Sequence, residues 1–304
     1  MLTKELRMTD KLNWCEIGPK KTHRYDVLSQ FLSSQGIQNQ FTFIESDSSS
    51  LKDKIQEARE QNLFIKFHPS IFGQVVGYIE NNLREIEALK SLDGMRFDSV
   101  QGYWPELLLR DSLFEYLAQR IKNLDVSQTA FIVGSDGLAR AAIAGLIKLG
   151  FSRINITSDN DDSARSLIED FNKIFFNVAF EFTKKSDVTI LPGTHGTVVN
   201  TFSILDSESV PSEIYYFNFL KKGGWVVDLI DVPMNSPFTR IAEDIGANVI
   251  KGYEVLSHYD IKWSESVTGQ KLSLESYQKL LETSLDQVEY DKAKIQKILE
   301  EFQM

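Results

Sequence analysis

The chain has 304 residues, 42% of them hydrophobic, which is enough apolar material for a sizeable core divided between two domains. Its formal charge of -10 argues against a nucleic-acid groove or an anionic membrane as the main partner. The single cysteine, Cys15, excludes a disulfide framework and a multi-cysteine zinc site, and it suits a reducing compartment.

The opening MLTKELRMTDKLNW is charged throughout and lacks the apolar core of a signal peptide. No stretch approaches the roughly 20 apolar residues of a membrane span. The expectation is a cytoplasmic, mixed α/β protein. Residues 1 to 13 read as a polar lead-in, followed by a short strand WCEIG, a basic loop PKKTHR and a helix YDVLSQFLSSQ stopped by Gly36. FTFIES is a second strand, LKDKIQEAREQ a helix with charges on one face, and LFIKF a third strand broken by His68-Pro69. Helical signal resumes in IFGQVVGYIENNLREIEALK. Residues 91 to 105 are turn-rich, and PELLLRDSLFEYLAQRI reads as a helix starting at Pro105, a good first-turn position.

From Phe131 the pattern becomes strand, glycine turn, helix, strand, acidic turn, helix. Apolar FIV ends at Gly134, a helix rich in Ala and Leu runs from Gly137 to Gly150, and INIT ends in Ser158-Asp159-Asn160. This is the order in which a helix N-terminus receives a pyrophosphate and the next strand end meets a ribose. Three further strands are expected in VAFEF, DVTILPG and WVVDLI. The stretch between the last two has no assignable helix content. PMNSPFTRIAEDIG is a helix entered through proline, NVIKG a last strand, and the tail from Tyr253 is helical with a break near Thr268-Gly269. Such alternation favours parallel sheets with helical cover.

Two blocks, Val133 to Ala141 and Val226 to Gly269, carry a resemblance to the shikimate dehydrogenase family and its shikimate dehydrogenase-like relatives. VGSDGLARAAIAGLIKLGFSRINI resembles the family's GxGGxxxA turn, helix and second strand. DLIDVPMNSPFTRIAEDIGANVIKGYEVL, followed by Thr268-Gly269, is similar to its DLVYNPxxTPLLxxAxxxGxxxIdGxxML…TG stretch. The resemblance implies an α/β fold of two domains. Residues 1–106 would form the substrate-binding domain, completed by C-terminal helices from about 258 to 304, and residues 107–257 a Rossmann-like nucleotide-binding domain. It also implies reduction of a ring ketone by hydride from NADPH, with a Lys and an Asp acting together in the cleft.

Carried over position by position, the functional residues differ while the scaffold matches. The family's paired serines fall near Thr22 and Arg24, which would hold a substrate carboxylate or else belong to an exposed basic loop. The NVTIPHK motif lands on IKFHPSI, with Ser70 or Ile71 at the catalytic lysine position. Lys66 lies just upstream, and Lys90 falls where the family has the Asn of GAVNT; either ammonium could substitute, or be solvated. The catalytic Asp of GYNTD aligns with Glu106 of GYWPE, which could equally be a first-turn carboxylate at a helix start. The substrate-contacting Gln falls near His258-Tyr259, making Tyr259 a substrate candidate.

At the cofactor turn, GxGG becomes Gly134-Ser135-Asp136-Gly137, followed by Leu138. A carboxylate at Asp136 would either repel a pyrophosphate, by about 4 kcal/mol at 4 Å and an effective dielectric near 20, or cap the helix. Asp159 replaces the arginine that grips the NADP phosphate, so NADP is disfavoured, NAD stays open, and so does the absence of any cofactor. Gly193 and Thr194, in PGTHGTV, correspond to a loop that the family places beside the nicotinamide, with His195 next to it. The four histidines have no metal-ligand spacing, so no metal site is expected. Two functions remain in view: an oxidoreductase preferring NAD and a small polar substrate other than shikimate, and a non-catalytic binding or regulatory scaffold. Neither nucleic acid nor membrane is expected as a partner; a homodimer is among the options.

Overall fold

The computed structural model describes residues 12–37, 39–79, 84–202, 212–230 and 234–285. The first half builds sheet A from β1 (Leu12–Gly18), β2 (Asn39–Glu45), β3 (Phe64–Phe67), β4 (Gly94–Asp98) and β5 (Gly102–Glu106), in the order β2-β1-β3-β4-β5. Helices α1 (His23–Ser34), α2 (Leu51–Gln61), α3 (Phe72–Val75) and α4 (Arg84–Leu89) connect these strands, and α5 (Leu108–Arg120) leaves them. The second half builds sheet B from β6 (Thr129–Val133), β7 (Arg153–Thr157), β8 (Ala179–Phe182), β9 (His195–Asn200), β10 (Leu220–Asp228) and β11 (Asn248–Ile250). Its helices are α6 (Gly137–Leu149), α7 (Asp161–Asn172) and α8 (Pro237–Asp244). Then α9 (Gly252–Thr268) and α10 (Leu274–Leu285) return to sheet A, where Tyr277 packs on Phe31 with ring centroids 5.2 Å apart.

Sheet B is wholly parallel, ordered β11-β10-β9-β6-β7-β8. The chain moves outward from β6 to one side and then crosses to the other, so the switch point lies beside the β6 carboxyl end. There an open α/β sheet leaves its crevice. Central β9 is almost entirely buried, as a strand covered on both faces must be. Helix α6 begins at the end of β6. The Asp136 side chain accepts the Ala139 N–H at 2.9 Å, residues 137–146 are buried, and Gly150 stops the helix at φ 109°.

Several sequence expectations need correction. Residues 91–105 contain an antiparallel hairpin, β4 and β5, so sheet A is mixed rather than parallel. Pro105 and Glu106 end β5, and the helix begins at Leu108; β5 is an edge strand, where a missing N–H is tolerated. DVTILPG is no strand: residues 185–190 form a 3-10 helix whose Ile190 is 79% exposed, and the strand lies in the unassigned stretch, as β9. The helical signal over 71–90 is realised as short 3-10 and α pieces, with residues 80–83 outside the described set. The tail beyond 285 also lies outside the described residues. Among the described residues no helix is long and apolar enough to cross a membrane.

Candidate functional site

Glu16, Lys66, Gly94 and Glu106 are register partners across four adjacent strands, so their side-chain positions face the same way. Lys66 and Glu106 are thus separated by the Gly94 strand, with roughly 10 Å between their backbones. That gap is occupied. A Cβ built on Gly94 would meet the Trp263 indole at 2.1 Å, so glycine is required for α9 to lay this fully buried ring on the sheet. Lys66 and Glu106 therefore find separate partners. Glu106 pairs with Arg96 at 3.2 Å on the rim of β5, and burial raises its carboxyl above the ordinary range against the pull of Arg96.

Lys66 turns under α9 instead. Its Nζ lies 2.6 Å from Asp260 Oδ1 and 3.1 Å from Glu16 Oε2. Arg24 Nη1 donates to the same Asp260 oxygen at 2.6 Å, and Tyr277 OH donates to Oδ2 at 2.8 Å. Arg24 is thus buried on α1, not exposed in a basic loop. Thr22 caps that helix, its Oγ1 accepting Tyr25 N at 3.2 Å. Tyr259 is fully buried: its ring lies 5.0 Å from Lys66 Nζ and its hydroxyl donates to the Asp93 carbonyl at 3.3 Å. Burial alone raises a carboxyl, yet Arg24, Lys66 and the phenol hold Asp260 below its usual value. Three of the sequence candidates, Arg24, Lys66 and Tyr259, thus converge, and what they converge on is the chain's own carboxylate.

Lys90 points elsewhere. It adopts a left-handed backbone, φ 49°, and its Nζ lies 2.7 Å from Asp170 on α7. Arg140 on α6 binds the same carboxylate at 3.1 Å and the Leu89 carbonyl at 3.3 Å, so Lys90 joins the two halves of the molecule. Asp170, raised by burial but pulled down further by Lys90 and Arg140, stays below the ordinary aspartate range.

At the carboxyl end of sheet B, Gly134 holds φ 126°, and a Cβ there would sit 2.1 Å from Thr201 Oγ1, which donates to the Val133 carbonyl. Ser135 and Ser158, both buried, share a 2.9 Å hydroxyl contact between the β6 and β7 ends. Asp159 is exposed at the tip of β7. Gly137 touches the first half directly, because its Cβ would lie 2.5 Å from Gly73 N, and Ser91 Oγ donates to its carbonyl. Leu138 is buried behind this contact. Asp136 is exposed yet sits in a recess. The surrounding protein raises its carboxyl, and the N–H groups of Ala139 and Leu138 pull it back. It therefore both caps α6 and places a carboxylate where a helix N-terminus would receive a phosphate.

Gly193 and Thr194 do not belong to this end. They precede β9, whose first residue, His195, is paired with Thr129 at the start of β6; the glycine turn lies past the other end of these strands. Their assignment beside a nicotinamide followed from reading DVTILPG as the strand, and it is corrected with it. His195 itself is buried, held by the Phe219 carbonyl at 3.1 Å, and burial lowers it. The residues that do end β9 and β10 went unread: Asn200 donates to Asp228 at 2.9 Å, and Ser236 donates to the same carboxylate at 2.7 Å. The apolar run TVV breaking into Asn200-Thr201 was the available signal. Asp260 gave none, since one acidic residue in a helix resembles a solvated one. Among the described residues no group of three or more His, Cys, Asp or Glu could hold a metal ion.

No family model matches the chain. Shikimate dehydrogenase (NADP(+)) of Prochlorococcus marinus (strain MIT 9515) is 30% identical over 201 residues, spanning 64% of this chain and 67% of that protein. The protein of the same name from Sinorhizobium medicae (strain WSM419) is 29% identical over 143 residues, 47% of this chain and 48% of its own. The chain thus spans about half the length of several curated relatives it matches. Quinate dehydrogenase of Corynebacterium glutamicum, solved in complex with NAD, superposes with a TM-score of 0.75 at 14% identity, covering 90% of this chain and 98% of that one, a likeness of fold. Two sheets with a glycine turn at the switch point, C-terminal helices returning to the first sheet and this similarity agree: the chain belongs to the shikimate dehydrogenase family, as a divergent member.

Proposed function

We propose that the protein is an NAD-linked oxidoreductase acting on a small polar substrate other than shikimate. The observation that carries this reading is the Gly134–Gly137 turn at the switch point of sheet B, with Asp159 exposed at the neighbouring strand tip. An aspartate there accepts hydrogen bonds from the two ribose hydroxyls of NAD and repels a 2′-phosphate. These residues fit the adenosine end of a dinucleotide. They do not fit its pyrophosphate as they stand, because Asp136 brings a like charge to the α6 N-terminus; the binding expected is therefore weak. Of the catalytic candidates, Glu106 is the carboxyl at the rim of sheet A, and its raised pKa suits it to hold and release a proton at Oε. Lys66 and Lys90 have no part in this, because each is tied to a carboxylate elsewhere.

The geometry of Asp136 also favours a second reading, a family scaffold that no longer takes a dinucleotide. Thermal unfolding separates the two. Millimolar NAD or NADH raises the melting temperature under the first reading, and NADP raises it less, because a ligand that binds only the folded state stabilises it. An unchanged melting temperature with NAD sinks the oxidoreductase reading.

A further inference from the structure

We propose that Asp260 is the resident anion of a carboxylate-binding cradle built from Arg24, Lys66 and Tyr277, and that it thereby excludes carboxylate ligands from the first half of the molecule. The geometry is that of a ligand site. A guanidinium and an ammonium, each at 2.6 Å, meet one carboxylate oxygen, and a phenol at 2.8 Å meets the other. All four residues belong to different elements, α1, β3, α10 and α9, so the donors are brought together by the tertiary fold. Short charge-assisted contacts of this kind are how proteins hold external carboxylates. Here the carboxylate arrives on α9, beside Tyr259 and one turn before Trp263, and the site is closed over it, with Arg24 and Lys66 3% and 2% exposed.

Charge accounts for the exclusion. Among the described residues, Asp260 already meets both Lys66 and Arg24, and Glu16 meets Lys66 as well, so the cations of the cradle carry carboxylates of the chain's own. A further carboxylate entering it would add negative charge to a water-poor interior, at a cost of several kcal/mol. A carboxylate of a ligand is therefore kept off these donors. Where the oxidoreductase reading holds, on which this last step rests, the substrate is a polyol or hydroxy-ketone without a carboxylate.

The test is an anion rescue. Asp260→Ser removes the carboxylate and leaves room for a small one; Asp260→Asn fills the same space without charge. In about 0.2 M acetate or formate, compared with chloride at equal ionic strength, Asp260→Ser gains at least about 3 °C in melting temperature. Wild type and Asp260→Asn gain nothing beyond the general salt effect. Should Asp260→Ser be recovered only unfolded, its refolding yield in acetate against chloride gives the same readout. Equal behaviour of Asp260→Ser in acetate and chloride overturns the proposal, as does a melting-temperature rise of wild type with shikimate that Arg24→Gln abolishes. None of these measurements needs a dinucleotide, so failure of the rescue and failure of NAD to bind are distinguishable. Turnover of hydroxy-carboxylates but not polyols by the wild-type protein with NAD overturns the exclusion alone.

Discussion

At the carboxyl end of sheet B, Asp136 accepts backbone N–H groups while its carboxylate stays at the surface. Beneath α9, Asp260 accepts a guanidinium, an ammonium and a phenol with no exposure at all. Both aspartates put the chain's own negative charge against donors, but the settings differ in what removal leaves behind. Without Asp136 the freed N–H groups turn to water or to a ligand. Without Asp260 the buried cations Arg24 and Lys66 lose the carboxylate they share. At Asp136 the donors can thus exchange their acceptor, whereas at Asp260 the same kind of contact is part of the core of the first half.

The largest effect should come from breaking the buried cluster at its centre. Lys66→Met keeps the length of the side chain and removes the charge, leaving Asp260 to Arg24 and the Tyr277 hydroxyl and taking from Glu16 the cation it meets. Breaking a buried pair in this way costs about 3–5 kcal/mol, read as a lower midpoint of urea unfolding at unchanged slope. A loss below about 1 kcal/mol would mean that apolar packing around Trp263, not the ions, holds α9 on sheet A.

A second buried carboxylate in the same half sharpens the contrast, because among the described residues no cation is within salt-bridge distance of it. Asp93 accepts the Leu109 N–H at 2.6 Å, which caps α5 from outside the helix, and among the described residues its other oxygen has no partner. Burial, with smaller contributions from Glu106 and Asp111 and against the Leu109 and Leu108 N–H groups, pushes its pKa from 3.8 up to about 7. Folding therefore favours its protonated form. Its contribution to stability is full below the unfolded value and is lost as pH rises through about 7. Asp93→Asn removes that loss: the variant should be more stable than wild type at pH 8, by roughly 2–4 kcal/mol, with little difference at pH 4. Asp260 runs the other way. Its depressed pKa contributes stability above the ordinary aspartate range, lost as the pH falls below it. Denaturation curves at several pH values check both signs.

The fold was legible where local pattern and tertiary role coincide. β6, α6 and β7 carry an apolar run, a glycine turn and an alanine-rich helix that read the same way in the sequence as in space. β4 and β5 were not legible. Asp93-Gly94 and Gly102 suggest turns, and the pairing that makes these residues a hairpin lies across the sheet, where Gly94 is needed under Trp263. The candidate site divided along the same line. Asp136 and Asp159 follow β6 and β7 in the chain, and the structure places them there, at the α6 N-terminus and the β7 tip. Asp260, which Arg24 and Lys66 share, and Asp170, which Lys90 meets, lie 80 or more residues from them, on α9 and α7. No local pattern announces a salt bridge of that kind.

The smallest change in stability should come from Asp136→Gly, and it bears most directly on the proposed dinucleotide site. Glycine is itself an acceptable helix N-cap, so the loss is a few tenths of a kcal/mol. The gain is at the ligand. Removing a like charge about 4 Å from a phosphate is worth up to about 4 kcal/mol at an effective dielectric near 20, and it frees the Ala139 N–H to donate outward. NAD affinity, measured by calorimetric titration, should therefore improve at least about tenfold. Acidification should imitate the substitution. The Asp136 carboxyl is raised, so it takes up its proton sooner than an ordinary aspartate, and NAD binding to the wild-type protein should tighten as the pH falls toward that raised range. The glycine variant should lack that dependence. If wild type and variant bind NAD equally at every pH, Asp136 is a cap and nothing more, and the surface aspartate no longer parallels the buried one.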